Sequence, residues 1–110
     1  MKLVTAIIKP FRLYEMQDAL QRAGVRGLII TEARGCSRQR VNTEVHRGAE
    51  YAGNLLLKIE IAVATEHVDE VTEAIIGAAR TGEIGDGKVF VSSVEQVVRI
   101  RTGETGETAL

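Results

Sequence analysis

The run Gly82-Glu83-Ile84-Gly85-Asp86-Gly87-Lys88-Val89 holds the densest potential chemistry in the chain. Its two outer glycines and the lysine after the second approach the spacing of a Walker A phosphate loop. Two features rule out the literal motif. Val89 stands where a hydroxyl would have to hold Mg²⁺, and the run leads from a helical pattern into a strand, the reverse of a P-loop. The physics survives: glycines let backbone amides come close to phosphate oxygens, and Lys88 adds a point charge. A plain helix-to-strand turn would use the same glycines for left-handed backbone, so these residues alone leave both uses open.

Arg99 and Arg101 are two residues apart. On a strand they project from one face, where two like charges favour a shared anion, with a solvated strand end as the alternative. Arg38 and Gln39 form a third polar cluster. The Gln39 side chain can ligate Mg²⁺ through its oxygen or donate to a carboxylate through its nitrogen. Asp86 and Lys88 beside a phosphate could support slow turnover at most. Paired carboxylates and Ser/His/Asp or Cys/His sets are missing, and His46 and His67 stand apart as surface residues. The expectation is a binding protein, not an enzyme.

Composition narrows the field further. With 14 Lys and Arg against 15 Asp and Glu, and no Trp, the chain offers no basic, aromatic-laced stripe for nucleic acid. The single cysteine, Cys36, has no internal disulfide partner and reads as a small apolar filler in a reducing compartment. Lys9 and Pro10 interrupt the apolar start too early for a signal peptide, and no apolar run is long enough to insert in a membrane. These features predict a soluble, cytoplasmic protein.

The elements that must position these residues follow from periodicity. Leu3 to Ile8 reads as a buried strand, and Pro10 stands where a helix can begin. Leu13, Met16, Ala19, Leu20 and Ala23 make a helical stripe over Phe11 to Ala23, capped by Gly24. Leu28 to Ala33 is a second strand. A polar stretch of about 37–54 has neither period and reads as a long functional loop. Leu55 to Val63 is a third strand, and Val68, Val71, Ala74, Ile75 and Ala78 mark a second helix. The glycine-rich loop, 81–88, leads into a fourth strand read from Lys88 to Ile100, followed by a polar tail.

The predicted class is therefore α+β: one domain over 1–110, a ferredoxin-like split βαβ (βαββαβ) with both helices on one face of an antiparallel sheet. Its strands are apolar on both faces, more than one helix layer needs, which predicts oligomerisation through the open face.

The C-terminal run Thr81 to Val91, followed by Arg99-Ile100-Arg101-Thr102-Gly103-Glu104, resembles the signature of the PII signal-transduction (nitrogen regulatory) proteins. Ala6 to Phe11 is similar to their opening strand and turn, and Arg47-Gly48-Ala49-Glu50-Tyr51 to the tip of their T-loop. The likeness covers essentially the whole chain. It implies a homotrimer binding ATP or ADP in each intersubunit cleft. Gly85, Asp86, Gly87 and Lys88 would wrap the phosphates from one side, with Arg99 and Arg101 reaching in from the neighbouring subunit. Gly35, Ser37, Arg38 and Gln39 would contact the nucleotide from the loop base, with Ile7, Ile29 and Ala62 near its base and sugar. Gln39 would help hold Mg²⁺, 2-oxoglutarate would complete the metal's shell, and T-loop rearrangement would select a partner such as an ammonium transporter or a uridylyltransferase. Tyr51 corresponds to the residue that many bacterial members uridylylate; an unmodified partner contact is the other reading.

Departures from the family pattern sharpen the expectation. Ser37 replaces a usual loop glycine, and His46 a tyrosine. The T-loop reads as about two residues short on its C-terminal side, which sets Leu56 where a lysine pairs with 2-oxoglutarate. Loss of such a charge-assisted pair costs about 2–5 kcal/mol when its partner stays buried. Two functions follow: a nucleotide and 2-oxoglutarate sensor for nitrogen metabolism, or a divergent sensor of adenine nucleotide and another small anion, such as bicarbonate, that regulates carbon metabolism or a transporter.

Overall fold

A computed structural model describes residues 1–35 and 54–110. In chain order the described elements are β1 (Lys2–Ile8), a 3-10 turn (Pro10–Arg12), α1 (Leu13–Arg22), β2 (Ile29–Gly35), β3 (Asn54–Val63), a second 3-10 turn (Thr65–His67), α2 (Val68–Ala79), β4 (Lys88–Ser93) and a last 3-10 turn (Gly106–Ala109). The strands form one antiparallel sheet in the order β2-β3-β1-β4. This is the ferredoxin-like arrangement that the two strand–helix–strand halves predict.

Strand alternation divides the sheet's faces. Val4, Ala6 and Ile8 of β1 and Leu57, Ile59, Ile61 and Val63 of β3 face the helices. Met16 and Leu20 from α1 and Val71, Ile75 and Ala79 from α2 complete the core. Pro10 starts its turn without losing an amide bond, and Gly24 follows α1 at φ +87°, the left-handed conformation that ends a helix at little cost to glycine.

The opposite face stays open in the single chain. Leu3, Thr5 and Ile7 alternate outward on β1, and the register sets them beside Ala62, Glu60 and Lys58 of β3 and Ser92, Phe90 and Lys88 of β4. On this face Ile29 is 63% and Phe90 54% exposed, so it keeps a substantial apolar surface in contact with water.

The fourth strand is shorter than its composition predicts. Valines and Ile100 extend the β-like pattern, but pairing with β1 stops at Ser93. Val98 then makes one antiparallel bridge with Thr105, closed by Arg99 N–H to Glu104 O at 2.9 Å and Gly103 N–H to Arg99 O at 2.8 Å. Gly103 takes φ +73°, so the chain reverses through Ile100 to Thr102. Arg99 precedes this reversal and Arg101 lies within it, so the shared strand face expected for them does not exist. The tail is also less detached than its polarity suggests: Ala109 is 7% exposed.

Among the described residues, no helix is long and apolar enough to cross a membrane.

Candidate functional site

The glycine-rich loop is organised from within by a carboxylate. Asp86 accepts from the amides of Thr81, at 2.8 Å, and Gly82, at 2.9 Å, and from the Thr81 hydroxyl. Its other partner comes from the end of β1: the Lys9 ammonium lies 3.3 Å from Asp86 and donates to the Thr81 hydroxyl at 3.3 Å. The Glu83 amide also donates to that hydroxyl, at 3.2 Å. Thr81's hydroxyl and amide, with the Gly82 amide and Lys9, hold the Asp86 carboxyl well below the usual carboxylate range; desolvation opposes them and is outweighed.

Gly87 explains why this loop can lie so close to β1. Its φ is +99°, and a Cβ there would fall 1.7 Å from the Ile7 carbonyl oxygen. Only glycine allows this approach of backbone to backbone. Lys88 follows immediately and begins β4 opposite Ile7, which is flanked on its other side by Lys58. Lys88, Ile7, Lys58 and Thr31 thus form one row across the outer face. Gly35, at the end of β2, pairs with Asn54 at this same end of the sheet.

The remaining sequence-predicted residues lie elsewhere. Ile29 is opposite Glu60 and Ala62 opposite Leu3, toward the other end of the sheet. Both line a cavity of about 630 Å³ that also includes Val97, Ala109 and Leu110. The Arg99 guanidinium donates to the Leu110 carbonyl at 3.1 Å and lies 3.8 Å from Glu104. Ile7, Asp86, Gly87 and Lys88 line a different cavity, of about 430 Å³, where β4 meets α2. One chain therefore carries two separate groups of candidate ligands, one at the loop end of β1 and β4 and one by β2, β3 and the tail. Arg101 lies exposed in the reversal from Ile100 to Thr102.

Ser37, Arg38, Gln39 and Tyr51 lie outside the described residues, as do Cys36, His46 and most of the T-loop. Gln39 was the expected Mg²⁺ ligand, so no described side chain stands for that role. Among the described residues, His, Cys, Asp and Glu form no metal-binding cluster of their own.

Sequence reading missed two contributors, Lys9 and the tail. Lys9 reads as a strand terminator before Pro10, and nothing local links it to a threonine 72 positions later. The usable signal is Thr81 five residues before Asp86, a spacing at which a short polar side chain and a carboxylate can close a loop on themselves.

Comparison with known proteins adds a third line of information. A family model described as "Nitrogen regulatory protein P-II" matches residues 1–104. A "Nitrogen regulatory protein P-II" from Rhodobacter capsulatus is 58% identical over 112 aligned positions, covering 100% of both chains. One from Rhizobium etli is 57% identical with the same coverage, and a "Nitrogen regulatory protein GlnK" from Escherichia coli (strain K12) is 51% identical, again over 100% of both. The chain has 110 residues against those 112 positions, so it lacks a residue at two of them.

Proposed function

The chain belongs to the nitrogen regulatory protein P-II family, and on that footing we propose that it senses cellular energy and 2-oxoglutarate by binding ATP or ADP in clefts between the subunits of a homotrimer. It is a signalling regulator of nitrogen metabolism. In the proposed mechanism the nucleotide phosphates meet the backbone amides of Gly85 to Gly87 and the ammonium of Lys88 from one subunit. Arg99 and Arg101 approach from the next. Ile7, Ile29 and Ala62 supply apolar surface for base and sugar, with Gly35, Ser37, Arg38 and Gln39 at the loop base. Mg²⁺ would bind beside the phosphates through Gln39 and, with 2-oxoglutarate, bias the T-loop toward one partner conformation. The partner is a transporter or modifying enzyme of nitrogen metabolism, such as an ammonium transporter or a uridylyltransferase acting on Tyr51. We put the protein in the cytoplasm, which suits its lone Cys36.

One observation carries the reading. The candidate ligands of one chain line two separate cavities, one with Asp86, Gly87 and Lys88 and the other with Ile29 and Ala62, and we infer that a second chain completes each. The open apolar face, with Ile29 and Phe90, gives copies of the chain a surface to share.

Leu56 need not abolish the 2-oxoglutarate response. Residues two apart on a strand share a face, so Lys58 presents a cation from the same side of β3, beside Ile7 and in the row of Lys88. We assign Lys58 the carboxylate-pairing role. Calorimetric titration of the Mg-ATP-loaded protein with 2-oxoglutarate and, separately, bicarbonate tests this: heat is expected with 2-oxoglutarate and is lost in Lys58→Met. Heat with bicarbonate alone would instead favour the divergent small-anion sensor. Failure to bind either ATP or ADP would remove the nucleotide reading altogether.

A further inference from the structure

The loop that faces the proposed phosphates is held by side chains whose polar atoms bond to one another and to the loop's own amides. Asp86 spends its carboxylate on the Thr81 and Gly82 amides and on the Thr81 hydroxyl. Lys9 reaches under the loop from the end of β1: a Cβ on Gly85 would lie 3.5 Å from its Cε, and its ammonium contacts both Asp86 and Thr81. The Lys9 and Asp86 side chains are only 19% and 24% exposed. An ion pair so sheltered is screened less by salt than a surface pair, and each charged member here also makes hydrogen bonds that fix its direction.

We propose that Lys9, Thr81 and Asp86 form a clamp that positions the phosphate-binding loop without touching the nucleotide, with Lys9 acting through Asp86. The inference rests on the nucleotide reading above and changes the job of Asp86 within it. Its side chain shapes the loop, while the backbone amides of Gly85 to Gly87 remain available to an anion. The physical reason is pre-organisation. Glycines give this loop many alternative conformations, and amides bind phosphate well only if they converge before the ligand arrives. The squeeze of Gly87 against Ile7 pins one end of the loop, and the clamp pins the other.

The test separates positioning from direct contact. Lys9→Met keeps the stem and removes the charge; Lys9→Arg keeps the charge. ATP affinity should fall about tenfold in Lys9→Met, the scale on which outer partners act on the groups they orient. Lys9→Arg should recover most of it, and adenosine, which has no phosphate, should bind both variants as it binds the wild type. In an Asp86→Asn background, Lys9→Met should cause little additional loss. A full additional loss there would mean that Lys9 contacts the nucleotide itself, and a matching loss of adenosine binding would mean general damage to the site; either overturns the clamp. Amide hydrogen exchange gives a readout without ligand: Thr81 and Gly82 should lose protection in Asp86→Asn. Wild-type protein that binds ATP, with variants that bind it equally well, would sink the clamp alone. A wild type without ATP affinity would sink both it and the parent reading.

Discussion

At the scale of single residues, the glycines of the 81–88 loop are not equivalent. Gly82 has φ +86° but open space around its missing side chain, whereas Gly87 combines φ +99° with the carbonyl of Ile7 directly in the way. Gly82→Ala should therefore cost only the left-handed strain, about 1–2 kcal/mol. Gly87→Ala must also push loop and strand apart and should lower the melting temperature clearly more, with loss of ATP binding; equal shifts in thermal denaturation would contradict the squeeze. Asp86 carries a pH signature of definite sign. A carboxyl whose folded-state pKa is depressed stabilises the fold above its unfolded value, about 4, and loses that contribution as pH falls through the folded value. Asp86→Asn should lower the melting temperature at neutral pH, and the gap to wild type should close only in strong acid, well below pH 4. A gap that closes between about pH 6 and 5 would refute the assignment. The glycine-lysine run itself was legible in the sequence because its meaning is local. Lys9 was not, because its partners are brought to it by the pairing of β1 with β4.

Elements were legible where one period dominates. Leu13, Met16 and Leu20 recur at helical spacing, and Met16 and Leu20 are fully buried. Leu20→Ala should cost about 2–5 kcal/mol, because the packed sheet behind it leaves little room to collapse, and chemical denaturation would show it. The alternation of β3 was equally plain, with Leu57, Ile59 and Ile61 inward and Lys58 and Glu60 on the other face. The end of β4 was misread because Val97, Val98 and Ile100 suit a strand whether or not a partner strand is there to receive them. Propensity cannot see that β1 begins at Lys2, opposite Ser93, and offers no further ladder. With the strand gone, the pairing of Arg99 and Arg101 on one face goes too. The structure instead holds Arg99 by the tail through the Leu110 carbonyl.

At the scale of the whole molecule, the outer sheet face is the strongest pointer to assembly. Leu3, Ile7, Ile29 and Phe90 share it with Lys58, Glu60 and Lys88. A charge at Phe90, on the edge strand β4, should be tolerated by the lone chain, where this side chain is already half-exposed, and opposed by any second chain packed there. Phe90→Glu is expected to sediment as a monomer that keeps its secondary structure, and an undisturbed trimer would show that copies meet elsewhere.

The separation of the two groups of candidate ligands on one chain has a genetic consequence. In the proposed homotrimer, a Lys88→Ala chain and an Arg99→Ala chain would each spoil every cleft when assembled alone, yet would damage opposite walls. Co-expressed, they should form mixed rings in which some clefts inherit both lesions and others inherit neither, so two inactive alleles together restore part of the ATP binding that each has lost.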